Sequence, residues 1–324
     1  MHKEKFNTIY VEISSTCNAT CPYCITGRNK DRHINPFMQT KKYSEILYKL
    51  LSEGYADKNT MVHLYVWGEP FLHPEFSRIM AISAEYPMKF ALSTNASIRP
   101  EITKDFAKIH EIRFSCSGYT QESYDRVHGF NAKRIRDNIQ HVIESMRKHG
   151  FNTKFHINFH IYQFNQEEVS AIAEFAKSLD VSILPNYAII NDWNLTNQWI
   201  QKDISVEDAL AIGSDLFNFG PANLIKRAPK SYVCPQHNFL VLDSSGNICI
   251  CCQTPHKEPY FSGNILDENA CTAIAERQNN DICRNCIKIG CAYMFNNSLQ
   301  PPFWAKEFGI KKSIIKSIVN LLWR

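Results

Sequence analysis

The feature that most constrains the fold of this chain is an alternation between two kinds of segment. Six runs rich in β-branched and aromatic residues read as strands: 7–14 (NTIYVEIS), 61–67 (MVHLYVW), 88–94 (MKFALST), 111–116 (EIRFSC), 154–162 (KFHINFHIY) and 181–189 (VSILPNYAI). Between them, 41–53, 74–86, 100–109, 132–149 and 166–179 carry apolar residues at helical spacing. Strands that alternate with helices call for an α/β fold with a parallel sheet and right-handed crossovers. An open doubly wound sheet and a full or partial barrel both satisfy this. In either, ligands bind beyond the C-terminal ends of the strands. The chemistry-bearing residues fall there: TCNATCPYC follows the first run, GEP the second, TNAS the third and SCSG the fourth, with Asn186 and Tyr187 in the sixth.

Charge and composition exclude several classes. Lys and Arg number 36 against 32 Asp and Glu, and the net charge of +4 is too small for a nucleic-acid-binding face. Hydrophobic residues at 44% and charged residues at 21% exclude global disorder. No run of 18 apolar residues exists to cross a membrane, and the start MHKEKFNTIY lacks the apolar core of a secretory signal, so a cytoplasmic location is expected. In that reducing compartment 12 cysteines point to metal rather than disulfides. Cys17, Cys21 and Cys24 lie near the start, Cys116 stands alone, and eight more run from Cys234 to Cys291. Around 190–230 the pattern weakens and reads as a connection. The expected organisation is a barrel over 1–225, a small Cys-rich module over 226–298 and a basic amphipathic helix over 299–324. That last stretch sets Lys306, Lys311, Lys312, Lys316 and Arg324 against one Glu307, and its Ile314, Ile318 and Leu322 could pack on the body or meet a membrane surface or partner.

Cys17-x3-Cys21-x2-Cys24 places three thiolates in one short loop. Three can hold three irons of a 4Fe–4S cluster and leave the fourth open, as a catalytic centre needs. Structural zinc takes four ligands, and His33 is nine residues past Cys24. CNATCPYC resembles the CxxxCxxC cluster loop of the radical S-adenosylmethionine (SAM) superfamily, including the aromatic Tyr23 before the last cysteine. The resemblance implies a partial (β/α)6 TIM-like barrel, a SAM-binding 4Fe–4S cluster and SAM itself. Trp67-Gly68-Glu69-Pro70 resembles the superfamily's GGEP turn, with Trp for the first Gly. That turn faces the SAM amino group, so Gly68 would allow close approach and Glu69 would accept from the ammonium. LSTNAS (92–97) resembles an STNG segment, with Ala96 for Gly. It makes Ser93 and Asn95 candidate ribose or carboxylate contacts, or else caps of a following helix. FSCSG (114–118) resembles S-x-D-G, which makes Ser115 a candidate SAM contact, while Ser117 in place of Asp leaves that position without a role.

The later cysteines resemble the SPASM/twitch auxiliary-cluster domains of the same superfamily: Cys234, then Gly246-x4-Cys251, then Cys283-x2-Cys286, with LDSSGNICICC (242–252) followed by SGNI (262–265). This implies four thiolates closing one auxiliary 4Fe–4S cluster, in the shorter twitch form because only Cys291 follows. Cys252 could replace Cys251, since adjacent residues of a strand point to opposite faces. Cys116, Cys249, Cys252, Cys271 and Cys291 are left as small buried residues, with Cys249, Cys252 or Cys291 a candidate hydrogen donor to a substrate radical. His63, His73, His156 and His160 are given no acid–base role, and no catalytic residue is named.

The function implied by the resemblance is reductive cleavage of SAM to a 5′-deoxyadenosyl radical that abstracts hydrogen from a substrate C–H. The expected enzyme is of oxidoreductase or epimerase type, acts on a sugar- or aminocyclitol-type molecule, and takes its electron from a flavodoxin- or ferredoxin-type donor. Asn158, Asn186 and Tyr187 are expected to line the substrate pocket. The alternative is a peptide-modifying maturase, although 16 residues before Cys17 leave no room there for a leader-peptide-binding domain, which a partner could supply. An alternative of another class is a non-catalytic iron–sulfur electron carrier, for which a fourth ligand in the first loop would be expected.

Overall fold

Six parallel strands stand side by side in chain order: β1 (Thr8–Val11), β2 (Met61–His63), β3 (Lys89–Thr94), β4 (Ile109–Cys116), β5 (Lys154–Ile161) and β6 (Ser182–Tyr187). The computed structural model describes residues 5–28, 36–217 and 225–297. His33 and the helix expected over 299–324 lie outside the described residues. Chain-order neighbours joined by crossovers give the α/β parallel sheet that the alternation called for, in the partial-barrel form that the family resemblance implied. On the free edge of β1 lies β7 (Phe239–Leu242), also parallel, followed by the antiparallel β8 (Asn247–Cys249) and β9 (Phe261–Asn264). The Cys-rich segment therefore continues the barrel's own sheet.

Side-chain parity separates core from cavity. Along β4, Ile112, Phe114 and Cys116 enter the main hydrophobic core, and along β5 Phe155, Ile157, Phe159 and Ile161 do the same. The alternate residues Ser115, Asn158 and His160 face a cavity on the other side. Helices α2 (Thr40–Ser52), α3 (Phe76–Ala84), α5 (Ala132–Lys148) and α6 (Val169–Ser178) cover the outer face. Helix α5 buries Ile135, Ile139, Val142, Ile143 and Met146 in one stripe and starts at Asn131, whose side chain accepts from Arg134 N at 2.8 Å. Before it, α4 (Gln121–Val127) is capped by Thr120, and the short α1 (Ile25–Arg28) follows the first cysteine loop.

Three expectations need correction. The helix expected over 100–109 is a five-residue 3-10 turn, Lys104–Lys108, with only Phe106 buried, its ring against Phe76 at 5.9 Å. A single anchoring side chain just after Pro100 does not sustain an α-helix. The second strand stops at His63, because beyond Leu64 the chain bends into the Trp67–Pro70 turn. The connection expected around 190–230 contains the helices α7 (Trp193–Gln201) and α8 (Val206–Asp215). Asp192 caps α7 through Asn194 N and Leu195 N, and Ser205 caps α8 through Asp208 N. Both cap signals were present in the sequence.

Three histidines are buried deeply enough to stay neutral, the pull of Glu111 on His63 being outweighed by burial and Arg113. Burial lowers His128 to about 3, and His63 and His160 to about 4, from an ordinary value near 6.5. The folded chain therefore binds fewer protons than the unfolded chain between those values and about 6.5. Stability contributed by the neutral rings is complete above that range and is lost as the pH falls through it. Replacing His128 with Gln should flatten the fall by up to about 1.4 kcal/mol per pH unit. Urea unfolding at a series of pH values between about 5 and 7 checks this, and equal slopes for the two proteins would contradict it.

Candidate active site

The C-terminal ends of the strands open into a cavity of about 1380 Å³, counting its mouth. Cys17, Cys21 and Cys24 line one side of it, and Tyr23 stands among them. Gly68 and Glu69 after β2, Ser93 and Asn95 at the end of β3, and Ser115 on β4 line the adjoining wall. Asn158, Asn186 and Tyr187 from β5 and β6 complete it. The candidates drawn from the first six strands thus meet in one space.

The cysteine loop is seated by main-chain contacts. Glu69 N donates to Thr16 O at 2.8 Å, just before Cys17. A Cβ on Gly68 would lie 1.9 Å from Ser14 O and 2.8 Å from Thr16 O, so the close approach this glycine permits is to the chain feeding the loop. Asn95 fastens the loop from the other side: its Nδ2 donates to Asn18 Oδ1 at 3.0 Å and reaches Cys17 Sγ at 3.6 Å, while its Oδ1 accepts from Ser97 N at 2.9 Å. The third side is α1, where a Cβ on Gly27 would lie 2.3 Å from Cys21 O. Tyr23 sends its hydroxyl away from the cavity, to Ala211 O at 3.0 Å and Asp215 Oδ2 at 2.9 Å on α8. Its main-chain O accepts from Asn191 N at 2.7 Å.

Glu69 also ties elements together. Its Oε1 accepts from Thr94 Oγ1 at 2.8 Å and Phe71 N at 3.2 Å, and its Oε2 accepts from Asn95 N at 2.7 Å. By count about one of some four acceptor positions is left for a ligand. Burial raises this carboxyl to about 7, against the pull of those three donors. Thr94 and Asn95 shape the turn in which Ala96 takes φ +57°, a left-handed conformation that costs an alanine about 1–2 kcal/mol. Ser93 Oγ lies 3.4 Å from Ser115 Oγ, so these hydroxyls form one polar patch.

Cys234, Cys251, Cys283 and Cys286 line a second recess, walled by apolar side chains including Trp193, Ile282 and Phe295. Three short helices follow in this part of the chain: α9 (Ala270–Gln278) carries Arg277, α10 (Asp281–Lys288) carries Cys283 and Cys286, and α11 (Cys291–Asn297) carries Phe295. Cys252 faces elsewhere, its Sγ donating to Gln236 Oε1 at 3.1 Å. Cys291 is fully buried against Cys286. Cys116 lies in the main core, Cys249 is buried beside His256, and Cys271 packs at the core's margin. Burial raises Cys17 and Cys283 to about 11 and Cys251 to about 12, so a cationic metal centre is what would make ligands of these thiols. Arg277 supplies a fixed positive charge: it is 1% exposed, donates to Gln236 O, His237 O and Phe239 O, and lies in the field of Cys251, Cys283 and Cys234.

Among the described residues no three His, Cys, Asp or Glu donors converge on one point as a single metal ion requires. A four-iron cube instead takes its thiolates at separate corners. Three thiols on the barrel cavity and four around the apolar recess fit, by ligand count, a 4Fe–4S cluster with one open iron and one with none. Asn18, Gly27, Asn191, Asp215 and Arg277 were not singled out from the sequence. Only Gly27, three residues beyond the last loop cysteine, carried a local signal.

Fold and cavity define an α/β barrel with a three-thiol loop at its mouth. The radical SAM superfamily profile matches residues 11–176, just over half of the chain, and the protein belongs to that superfamily. Among solved structures, hexahistidine-tagged anSMEcpe with bound AdoMet shares the fold over 97% of this chain and 97% of its own, at 14% identity and a TM-score of 0.58. SuiB of Streptococcus suis bound to S-adenosylmethionine matches over 87% of this chain and 68% of its own, at 13% identity and a TM-score of 0.56. BtrN in complex with AdoMet and 2-DOIA, 17% identical over 92% of this chain and 92% of its own, has a TM-score of 0.47. Among curated proteins none matches the sequence.

The facing of the thiols leads to a direct expectation. Reconstituted protein should carry about eight irons per chain; Cys251→Ser should lose about four of them and Cys252→Ser none. Iron and sulfide analysis decides, and a loss confined to Cys252→Ser would reverse the assignment.

Proposed function

We propose that this chain cleaves SAM reductively at the three-thiol loop and acts on a C–H bond of a polar small molecule of sugar or aminocyclitol type, oxidising or epimerising it. The observation that carries the reading is that the loop thiols and the amide-bearing ends of β5 and β6 open into one cavity.

Cys17, Cys21 and Cys24 would hold three irons of the SAM-binding cluster. The Trp67–Glu69 turn would orient the SAM amino group, and Ser93 and Ser115 would bond its polar groups. Asn95 and Tyr23 would act through the loop they brace. A reduced cluster of this kind supplies the electron that splits SAM into methionine and a 5′-deoxyadenosyl radical able to take hydrogen from an unactivated carbon. The chain's task is to hold the target carbon in line and keep other hydrogen donors away. Asn186 donates to Asn158 Oδ1, and Asn158 Nδ2 lies 3.2 Å from His160 Nε2, a ring kept neutral by burial. Such a row of uncharged donors and acceptors suits hydroxyl and amine groups better than a phosphate or carboxylate.

Cys234, Cys251, Cys283 and Cys286 would close the auxiliary cluster, with Arg277 offsetting its negative charge. With no vacant iron, that cluster suits electron acceptance rather than substrate binding. A flavodoxin- or ferredoxin-type protein would supply the first electron. A peptide is the second reading, because solved relatives of this fold include anSMEcpe with AdoMet and Cp18Cys peptide and SuiB with precursor peptide SuiA.

Anaerobically reconstituted protein given dithionite and SAM should release 5′-deoxyadenosine, and Cys17→Ala, Cys21→Ala or Cys24→Ala should abolish it. No release from the wild type would favour the electron-carrier alternative. Deuterium transfer into 5′-deoxyadenosine from a labelled sugar or aminocyclitol supports the first reading; transfer from a labelled peptide alone would replace it with the second.

A further inference from the structure

The segment that begins with Cys251 does more than face the four-thiol recess, because it also grips the turn after β2. Glu12, just past β1, is fully buried. Its Oε1 accepts from the main-chain N–H groups of Trp67 at 2.7 Å and Gly68 at 3.0 Å. Its Oε2 meets His256 Nδ1 at 2.5 Å. Two residues before His256, Thr254 O accepts from Trp67 Nε1 at 3.3 Å. Between Cys251 and Thr254, Gln253 lines both the recess and the cavity. Trp67, which stands where the superfamily turn has a glycine, thus supplies an indole that holds this segment.

Burial alone would keep His256 neutral, but the Cys249 sulfur and the Glu12 carboxylate beside it reverse that and hold the ring well above its ordinary value. A carboxylate that accepts two consecutive main-chain N–H groups fixes the plane of the peptide between them, and with it the direction in which the turn presents its carbonyls. Breaking a buried pair on one side leaves the other charge uncompensated, so the two ends of this link move together.

We propose that Glu12 and His256 form a buried positioning strap through which filling of the four-thiol site and binding of SAM at the Trp67–Gly68 turn strengthen one another. This rests on the radical SAM reading above. A ligand that pins Cys251 orders the segment running to His256, and an ordered segment presents the turn already set for SAM. Linkage requires the reverse effect to be equal in size.

The test is a double-mutant cycle on reconstituted protein. Cys283→Ser/Cys286→Ser empties the four-thiol site from α10 without touching the strap, and His256→Gln cuts the strap. SAM affinity by equilibrium dialysis should fall about five-fold or more when the site is emptied in the wild type, and less than about two-fold when it is emptied in His256→Gln. Equal losses in both backgrounds, or none in the wild type, overturn the proposal. Should His256→Gln fail to fold, Glu12→Gln takes its place with the same expectations, since its amide oxygen still accepts from both N–H groups. Hydrogen exchange at the Trp67 and Gly68 amides gives a reading that needs no SAM: both should exchange faster once the strap is cut or the site emptied, and unchanged exchange in both proteins overturns the strap. A wild type that binds no SAM while these amides respond as expected supports the strap and counts against the radical SAM reading alone.

Discussion

The site depends on one main-chain contact, the turn after β2 lying against the chain that leads into the cysteine loop. Gly68 makes it sterically feasible, since any larger residue would drive a methyl group into Ser14 O. The hydrogen bond from Glu69 N to Thr16 O sets its register. From there the restraints spread, with the Glu69 carboxylate reaching the end of β3 and Asn95 returning to Asn18 and Cys17. The loop's apolar packing is confined to one side, where Cys21 and Tyr23 join a small cluster with Val127 and Tyr162. Position here is maintained by hydrogen bonds among polar groups with little access to water, where each unmade bond carries its full desolvation penalty.

Polarity on the inner face of the barrel follows from strand geometry in the same way. One parity of β4 and β5 packs helices, and the other leaves Ser115, Asn158 and His160 on the cavity. A sheet of this kind is expected to be apolar on both faces. The departure marks where a ligand replaces protein as packing partner, and it separates cavity from core without any appeal to a motif.

The alternation of strand and helix patterns, and the residues just past each strand, made the architecture and the cavity legible in the sequence. Period-two and period-3.6 patterns are local and survive in a single chain. The cysteine spacings were equally local, and the four later thiols meet in one recess. What was not legible depends on contacts across long separations. Arg277 looks like an exposed helical arginine until three main-chain carbonyls from residues 236–239 enclose it. Asp215 becomes part of the site only because α8 lies over Tyr23. The helices α7 and α8 were missed for another reason: the Asn-bearing sequence of α7 and the single buried residue of α8, Ile212, masked sound capping signals at Asp192 and Ser205. The stretch 100–109 showed the opposite error, with helical spacing but one buried anchor.

The parallel pairing of β7 with β1 bears on how the molecule is assembled as it emerges from a ribosome. Strand β1, made before the other strands, hydrogen-bonds on one edge to β2 and on the other to residues more than two hundred positions later. Throughout most of synthesis that second edge has no partner, and it belongs to the strand that leads into the cysteine loop. Unpaired edges template adventitious association. The nascent chain therefore carries its three loop thiols next to an unpaired strand border until about three-quarters of these residues have been translated.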